Sequence, residues 1–390
     1  MNKAINLKIN KRNLFISIAL IFCFEPKLAV KFPLFNYFYI LGAVIVFTLM
    51  SVKYFKRNKI SKCFVLLIAF RISFLLQTIF NGGDIMMWGY MSIVLMTLCM
   101  MFEYYLKLCR MEFLDILINV LLGMLLINLG ISYIYPNGVI DGIFFIGIRT
   151  RISDVIFPLL LFALIREELG NHKLQLKTII CFMICILNIV RFTVTTAILG
   201  VIIFIITYFL VSRSNKFRKI INLRWVVYFG VIISLLFTFC NLYVYFDDFI
   251  VSVLRKEANL SSRTLIWGEA IKYIAQSPIF GHGLAPDGNF VYWGYVGGVK
   301  GLWQAHNNWL QLLYDGGIIS MLVFVNFINM NSPKLSNYKN EKIAALLIVT
   351  VLVYMIMMIS EIFIYTPYFY LVIFAISNIS YLMPGREKYV

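Results

Sequence analysis

Charged residues are scarce in this chain of 390 residues: they make up 14% of it, whereas 61% of the residues are hydrophobic and the mean hydropathy is +0.86. This composition excludes an ordinary soluble domain, in which about 45–50% of the residues are apolar. Acidic residues are fewer than basic ones, 18 against 35. Because no basic soluble module carries the net charge of +17, we expect contact with a lipid bilayer and no nucleic-acid partner.

Several other signals are missing. The seven Cys residues lie in or beside hydrophobic segments, which implies no disulfide framework. Cys181 and Cys185 share a helix face, but no His or carboxylate accompanies them at a metal-ligand spacing, so no metal and no cofactor are expected. The sequence 25–27, EPK, follows the first apolar segment where a signal peptide would have small residues for cleavage. That segment is therefore predicted to remain as a first helix.

Long hydrophobic runs recur from one end of the chain to the other. A bilayer core of about 30 Å requires about 20 apolar residues in each helical span. The runs therefore predict an all-α, polytopic membrane protein that forms a single domain over residues 1–390. About 12 transmembrane helices are predicted, at residues 13–24, 32–52, 63–81, 85–106, 114–135, 152–165, 178–190, 192–211, 225–246, 306–329, 343–363 and 367–383.

Basic residues concentrate in alternate connections between these spans, for example in KYFKRNKISK at 53–62 and RSNKFRKIINLR at 213–224. Short loops rich in Lys and Arg stay on the cytoplasmic side of a membrane. Both termini are therefore predicted to be cytoplasmic. The longest polar connection, residues 247–305, is predicted to lie outside the cytoplasm.

Polar residues inside or beside the spans are candidate functional groups, because they are costly in hydrocarbon. Arg71 lies near the middle of a span and could pair with a carboxylate of the bundle or with a ligand phosphate. Arg191 lies between two apolar segments at an outer boundary, which suits either an anion contact or an interfacial side chain that reaches water. Glu361 lies at another outer boundary and is expected to be solvated.

Arg149 and Arg151 stand in a short outer connection and so depart from the charge rule. Positive charge at this position suggests that one of the two contacts phosphate. The alternative is that Asp141 and Asp154 merely neutralise them.

Residues 261–278 predict an amphipathic helix within the long outer loop, with Trp267, Ala270 and Ile274 on its apolar face. Arg263 lies in its first turn, beside unpaired backbone N–H groups and the positive end of the helix dipole. This combination suits an anionic group, although a surface Arg near a helix cap is the simpler interpretation.

The loop that follows is rich in Gly and aromatic residues. Trp293 and Trp303 offer flat apolar faces of the kind that stack on sugar rings. Aromatic residues also gather at membrane interfaces without any such role.

His306 opens the tenth predicted span on its outer side and shares a helix face with Gly317. An imidazole at this position can accept a proton near neutral pH. A His that only caps a helix at the interface is the alternative.

Three motifs together resemble one family. Ser262-Arg263-x-x-x-Trp267, the SPIFGHG turn at 277–283, and His306-Asn307 before a Gly-rich helical turn are similar to the core region of O-antigen polymerases and O-antigen ligases. Arg191 and one of Arg149 and Arg151 are similar to arginines of that family. The chain departs from the ligase pattern, which has Leu at position 267 and Gly, Thr or Tyr at position 320, where this chain has Trp and Ser.

The resemblance implies a membrane-embedded, metal-independent glycosyltransferase of the C type, acting at the periplasmic face of the bacterial inner membrane on undecaprenyl-diphosphate-linked oligosaccharide. It implies His306 as the catalytic base, with Arg263, Arg191, and Arg149 or Arg151 stabilising the diphosphate. Asn307, Trp293 and Trp303 are expected near the sugar.

The reaction implied is polymerisation of a surface polysaccharide on a second lipid-linked repeat, and a chain-length regulator protein is a further partner that the resemblance suggests. Two alternatives remain open: an O-antigen ligase that transfers the glycan to lipid A core, and a transporter for lipid-linked sugars. Transporters of this size usually have related halves and interrupted helices.

Overall fold

The computed structural model describes residues 10–170, 175–242, 245, 263–284, 291–296 and 299–383. In this part of the chain the fold is predominantly helical, as predicted. Its α-helices are α1 Lys11–Cys23, α2 Lys27–Val30, α3 Pro33–Phe55, α4 Lys62–Ile72, α5 Leu75–Phe80, α6 Ile85–Ile134, α7 Ile152–Leu169, α8 Leu176–Phe192, α9 Thr195–Arg213, α10 Asn215–Ile220, α11 Leu223–Phe239, α12 Arg263–Gln276, α13 Asn308–Asn329, α14 Ser332–Ser336, α15 Lys342–Met357 and α16 Tyr368–Ser377. Short 3-10 helices lie at Arg149–Arg151 and Ile379–Leu382.

A β-hairpin interrupts this helical architecture and was not predicted. Its strands, β1 Val291–Val296 and β2 Val299–Trp303, pair antiparallel. They lie in the Gly- and aromatic-rich part of the long loop, where only sugar-stacking or membrane-interface roles of single aromatic residues were predicted. Aromatic and β-branched residues favour strands, and both segments contain them.

Helices lie at the positions of the predicted spans, and five helical stretches are long and apolar enough to cross a membrane: Pro33–Phe55, Lys62–Phe80, Ile85–Ile134, Thr195–Arg213 and Asn308–Ser336. The length and hydropathy of these helices are those of a membrane protein, and the predicted number of twelve crossings stays a prediction. Two predicted spans lie in the helical stretch α6, Ile85–Ile134, which is broken at Cys109, where φ is −153° and ψ is 59°. The 50 residues of a continuous helix would be about 75 Å long, more than two bilayer cores, and the break lets the two halves pack as separate helices.

One end of the bundle, here called the inner end, is held by ion pairs of basic residues. Arg12 pairs with Glu112 at 3.4 Å, and the guanidinium of Arg166 and the ammonium of Lys177 both contact Asp115, at 3.0 and 3.2 Å. These pairs join α1, α6, α7 and α8 at the end that the charge pattern assigns to the cytoplasm.

The opposite end, here called the outer end, collects the connections before α3 and α7, the helix α12, and the segment 358–367 between α15 and α16. Its parts are cross-linked: the Leu28 amide donates to the Phe145 carbonyl at 3.3 Å, and Lys31 pairs with Asp141 at 3.3 Å. The outer end therefore brings together segments that are far apart in sequence.

Helix α13 is broken at Gly317, where the SPIFGHG turn packs against it, and this break was not predicted. Gly317 has φ +60° and ψ −164°, a conformation that breaks the helix. The backbone groups freed by this break pair with the turn: Gly283 N donates to Asp315 O at 2.8 Å, and Ile318 N donates to Pro278 O at 2.9 Å. The turn thus takes the place of the missing helical hydrogen bonds and enters the bundle beside α13.

Gly317→Ala is expected to destabilise the protein by about 2 kcal/mol or more. A Cβ at this position would lie 2.2 Å from the Ile279 carbonyl oxygen, and the positive φ disfavours any L side chain. Gly130→Ala in α6 is the matched control, because a Cβ there meets nothing within 4 Å. Unfolding of both variants in mixed micelles measures the difference. Equal stability of the two variants would show that the turn does not lock α13.

Candidate active site

Helix α12 packs its apolar face on the start of α13, as its predicted amphipathic pattern requires. Ile266, Trp267, Ala270 and Ile274 are buried there. The indole Nε1 of Trp267 donates a hydrogen bond to the Ala305 carbonyl at 3.0 Å. The helix that carries Arg263 is therefore fixed directly to the residue before His306.

His306 adopts φ +49°, in the left-handed region, between Ala305 and the start of α13. His is one of the few residues found there with some frequency, and this backbone still costs of order 1 kcal/mol. Among the residues whose side chains the structure describes, no group hydrogen-bonds either ring nitrogen of His306. The imidazole is therefore available to a ligand.

Asn307 holds the backbone between His306 and the start of α13 in place. The Asn307 Oδ1 accepts from the amides of Trp309 and Leu310, at 2.9 and 3.0 Å, and caps α13. The Asn307 Nδ2 donates to Ser234 Oγ and to the Ile359 carbonyl, both at 3.0 Å. Asn307 is fully buried with its hydrogen-bonding capacity used, so the sugar contact predicted for it would require breaking these bonds.

Arg263 forms an ion pair with Glu361, whose Oε1 lies 3.1 Å from the guanidinium. The two side chains are only 14% and 9% exposed. Glu361 was expected to be solvated, and this expectation was wrong, because the segment 358–367 folds back over the start of α13. Its carboxylate partly neutralises Arg263.

Arg151 reaches the same segment from the 3-10 helix that precedes α7. Its guanidinium donates to the Ile362 carbonyl at 2.8 Å and to Gln304 Oε1 at 3.4 Å, and it lies 3.8 Å from Asp154. Asp154 therefore does neutralise part of its charge, as the sequence suggested. Both Arg151 and Arg263 are close enough to His306 to act on its charge.

The electrostatics of the site keep His306 neutral. Burial, followed by the positive charges of Arg263 and Arg151, lowers the pKa of His306 from its usual 6.5 to about 3. A neutral imidazole has a lone pair that can accept a proton. The low pKa makes it a weak base until an anion offsets the two guanidinium charges.

Arg149 and Arg191 are placed differently from Arg151. Arg149 is exposed and has no ion pair within the described ranges, although it lies only two residues from Arg151. Arg191 donates to the Ser132 carbonyl at 2.6 Å and stacks on Tyr133 at 5.6 Å. No described contact joins Arg191 to Arg263, Arg151 or His306, so its predicted diphosphate contact stays a prediction.

The two tryptophans predicted to contact sugar lie on the hairpin, Trp293 in β1 and Trp303 in β2. Their side chains fall outside the part of the chain that the structure describes. The residues 247–262 of the long loop also lie outside it.

A buried polar network below His306 was not predicted. The Ala305 amide donates to Gln311 Oε1 at 2.9 Å, and Gln311 Nε2 donates to Asp315 Oδ1 at 3.0 Å. The hydroxyl of Tyr365 donates to Asp315 Oδ2. The spacing of Gln311 and Asp315, four residues apart on an otherwise apolar helix, was a signal in the sequence that could have revealed the network.

The guanidinium of Arg71 is hydrogen-bonded to residues of the helical bundle. Its guanidinium donates to Ser92 Oγ at 2.9 Å and to the Trp88 carbonyl at 3.0 Å, and Trp88 Nε1 donates back to the Arg71 carbonyl at 2.7 Å. Of the two interpretations left open by the sequence, these contacts favour pairing inside the bundle.

The described residues thus define a helical membrane protein with a cluster of Arg263, Arg151 and a neutral His306 at the outer end. Residues 180–325 match a family model described as O-antigen ligase. The match includes Arg191, Arg263 and His306, and it confirms the resemblance to the O-antigen polymerase and ligase superfamily. No curated protein and no solved structure matched the chain.

Proposed function

We propose that the protein is a metal-independent glycosyltransferase of the inner membrane that polymerises a surface polysaccharide at the periplasmic face. The growing glycan moves from undecaprenyl diphosphate onto another undecaprenyl-diphosphate-linked repeat unit, while both termini of the chain lie in the cytoplasm. The observation that carries this proposal is the convergence of Arg263, Arg151 and His306, from three distant segments, on the outer end.

The chemistry follows from these groups. A hydroxyl oxygen of the acceptor sugar attacks the anomeric carbon, and the bond from that carbon to the diphosphate oxygen breaks with its electron pair. Arg263 and Arg151 stabilise the charge that develops on the leaving diphosphate. His306 takes the hydroxyl proton during the attack. Attack from the side opposite the leaving group gives inversion at the anomeric carbon.

Binding of the diphosphate also prepares the base. The anion offsets Arg263 and Arg151, the two charges that disfavour protonation of His306, and so raises the pKa of His306 from about 3. Glu361 and Asp154 are the acidic groups beside the two arginines, and a bound diphosphate adds further negative charge to theirs. The substrate thus converts His306 into a stronger base.

The pH dependence tests this coupling. Activity is lost as the pH falls through the pKa of His306, because the protonated imidazole cannot accept a proton. The profile of kcat/KM reports the free enzyme and that of kcat reports the complex. We therefore expect the acid limb of kcat at a higher pH than the acid limb of kcat/KM. Because the pKa of His306 in the free enzyme is about 3, initial-rate profiles from about pH 4 to about pH 9 should show an acid limb in kcat and none from His306 in kcat/KM. Acid limbs at the same pH in both profiles, or no acid limb in kcat, would contradict the coupling.

The ligase reaction is the second candidate, and the matching family model is equally consistent with it. Polymerase and ligase share the donor, the leaving group and the base, and they differ in the acceptor. Deletion of the gene separates them. Lipopolysaccharide whose core carries a single repeat unit indicates a lost polymerase, whereas bare core indicates a lost ligase.

A transporter of lipid-linked sugars is the alternative of another class. The breaks at Gly317 in α13 and between α4 and α5 are of the kind that transporters use to bind ions and substrates. At Gly317, however, the freed backbone groups already pair with the SPIFGHG turn. Reconstitution of the purified protein in liposomes distinguishes the two functions. Elongation of the glycan on an outward-facing lipid-linked donor supports the enzyme, and translocation of the carrier without elongation supports the transporter. A chain-length regulator as partner stays a prediction.

A further inference from the structure

A pocket of about 250 Å³ with a mixed polar and apolar lining lies at the outer end between the α1–α3 connection and the start of α6. Glu25, Lys27, Asn36, Asp84 and Tyr90 provide its polar groups, and methionine and aliphatic side chains line the rest. Its volume is below the range of about 300–1,000 Å³ typical of drug-sized ligands. The pocket therefore suits a small polar molecule or a single ring of a larger one.

Two buried polar atoms of this pocket have no well-formed hydrogen bond among the described residues. Glu25 Oε1 and the Tyr90 hydroxyl lie close to each other, but neither makes a hydrogen bond of normal geometry. A buried polar atom without a partner costs about 1–3 kcal/mol. A ligand that accepts from Tyr90 and donates to Glu25 would remove that cost.

The charge in the pocket favours a neutral ligand. Burial raises the pKa of Glu25 and lowers the pKa of Lys27, and each of the two groups partly offsets the shift of the other. Asp84 adds a second carboxylate, which already accepts from the Met87 amide at 2.8 Å as the cap of α6. A free phosphate group would meet two acids against one Lys and is disfavoured.

The pocket adjoins the candidate active site. A separate cavity of about 30 Å³ shares Glu25, Lys27 and Tyr90 with it and is also lined by Arg151 and Asp154. Arg151 in turn contacts Gln304 and Ile362, which lie close in sequence to His306 and Glu361. For a substrate with its charged group at Arg151, the pocket of Glu25 is therefore an adjacent polar site.

We propose that the pocket formed by Glu25, Lys27 and Tyr90 binds one sugar ring of the glycan substrate through its hydroxyl groups. Glu25 accepts from a hydroxyl, Lys27 and Tyr90 donate to hydroxyl oxygens, and the methionine side chains contact the apolar face of the ring. This proposal rests on the proposed function, since the sugar belongs either to the donor or to the acceptor of that reaction.

Tyr90→Phe and Glu25→Gln test the proposal, because both substitutions keep the shape of the side chain and remove one hydrogen-bonding partner. Tyr37→Phe is the matched control, since Tyr37 is 64% exposed and does not line the pocket. The full-length protein in nanodiscs is titrated by calorimetry with the free repeat-unit oligosaccharide of its host's polysaccharide. We expect both pocket variants to weaken binding about tenfold, and the control to match the wild type.

Steady-state kinetics assign the source of the sugar. A raised KM for free oligosaccharide used as acceptor assigns the pocket to the acceptor, and a raised KM for the lipid-linked donor assigns it to the donor, with kcat nearly unchanged in either case. If the wild type elongates glycan while the folded variants keep wild-type binding and both KM values, the sugar pocket is refuted and the proposed function stands. If the wild type binds oligosaccharide but does not elongate it, the proposed function fails instead.

Discussion

Arg151→Gln is expected to lower glycan transfer by about 10²–10³-fold, whereas Arg149→Gln leaves the rate within about twofold of the wild type. The two arginines lie in the same 3-10 turn, Arg149–Arg151, and differ in what surrounds them. Arg151 contacts Ile362, Gln304 and Asp154 and lowers the pKa of His306, while Arg149 is exposed.

The physical reason lies in the charge that the diphosphate develops as it leaves. A fixed guanidinium in a partly buried site stabilises that charge far more than a solvated one, because water screens the exposed group. Gln keeps an amide donor and removes the charge, but it is shorter than Arg and cannot reach both the Ile362 carbonyl and Gln304; Arg149→Gln shortens the side chain by the same amount.

Rates are measured with purified variants and lipid-linked repeat units, and the elution of each variant on gel filtration controls for folding. Equal losses in the two variants would mean that the whole turn matters only for structure. If Arg151→Gln transfers glycan at the wild-type rate and Arg149→Gln is slow, the exposed Arg149, and not Arg151, binds the diphosphate.

His306→Asn is expected to lower the rate by about 10²–10⁴-fold, the usual contribution of a positioned acid or base. Asn is chosen because it tolerates the positive φ of residue 306, so that the backbone can stay in place. His282→Asn is the matched control. His282 bonds the Tyr273 carbonyl through Nε2 at 2.8 Å and stacks on Tyr314, which gives it a structural role in the SPIFGHG turn.

The control variant is expected to keep most of the activity per folded molecule. The remaining rate of His306→Asn should also lose the acid limb that the wild type shows in kcat. Wild-type rates in His306→Asn would remove His306 from the mechanism and would direct attention to the carboxylates beside the arginines, Glu361 and Asp154.

The sequence predicted the helical class and the apolar face of α12, because hydrophobic length and helical period depend on local patterns. It also singled out Arg263 and His306, since polar residues between apolar spans are easily recognised. It could not choose between Arg149 and Arg151, whose difference arises only when the segment 358–367 folds over the start of α13.

Other features depend on contacts between distant parts of the chain. The carboxylate of Glu361 meets Arg263 across 98 positions, and no local pattern encodes that pairing. The break at Gly317 depends on the SPIFGHG turn, which occupies the backbone groups that a continuous helix would have used. The pocket of Glu25 and Tyr90 likewise requires α6 to pack beside the α1–α3 connection.

The most direct test is a reconstitution of the purified protein in liposomes with undecaprenyl-diphosphate-linked repeat units as the only substrate. If Arg263, Arg151 and His306 form a glycan-transfer site, the wild type produces a ladder of lengthened lipid-linked glycans and releases one undecaprenyl diphosphate for each repeat added. Arg263→Gln and His306→Asn then lose both products together. A folded wild type that releases no carrier and lengthens no glycan, or folded variants that do both at the wild-type rate, would contradict the account.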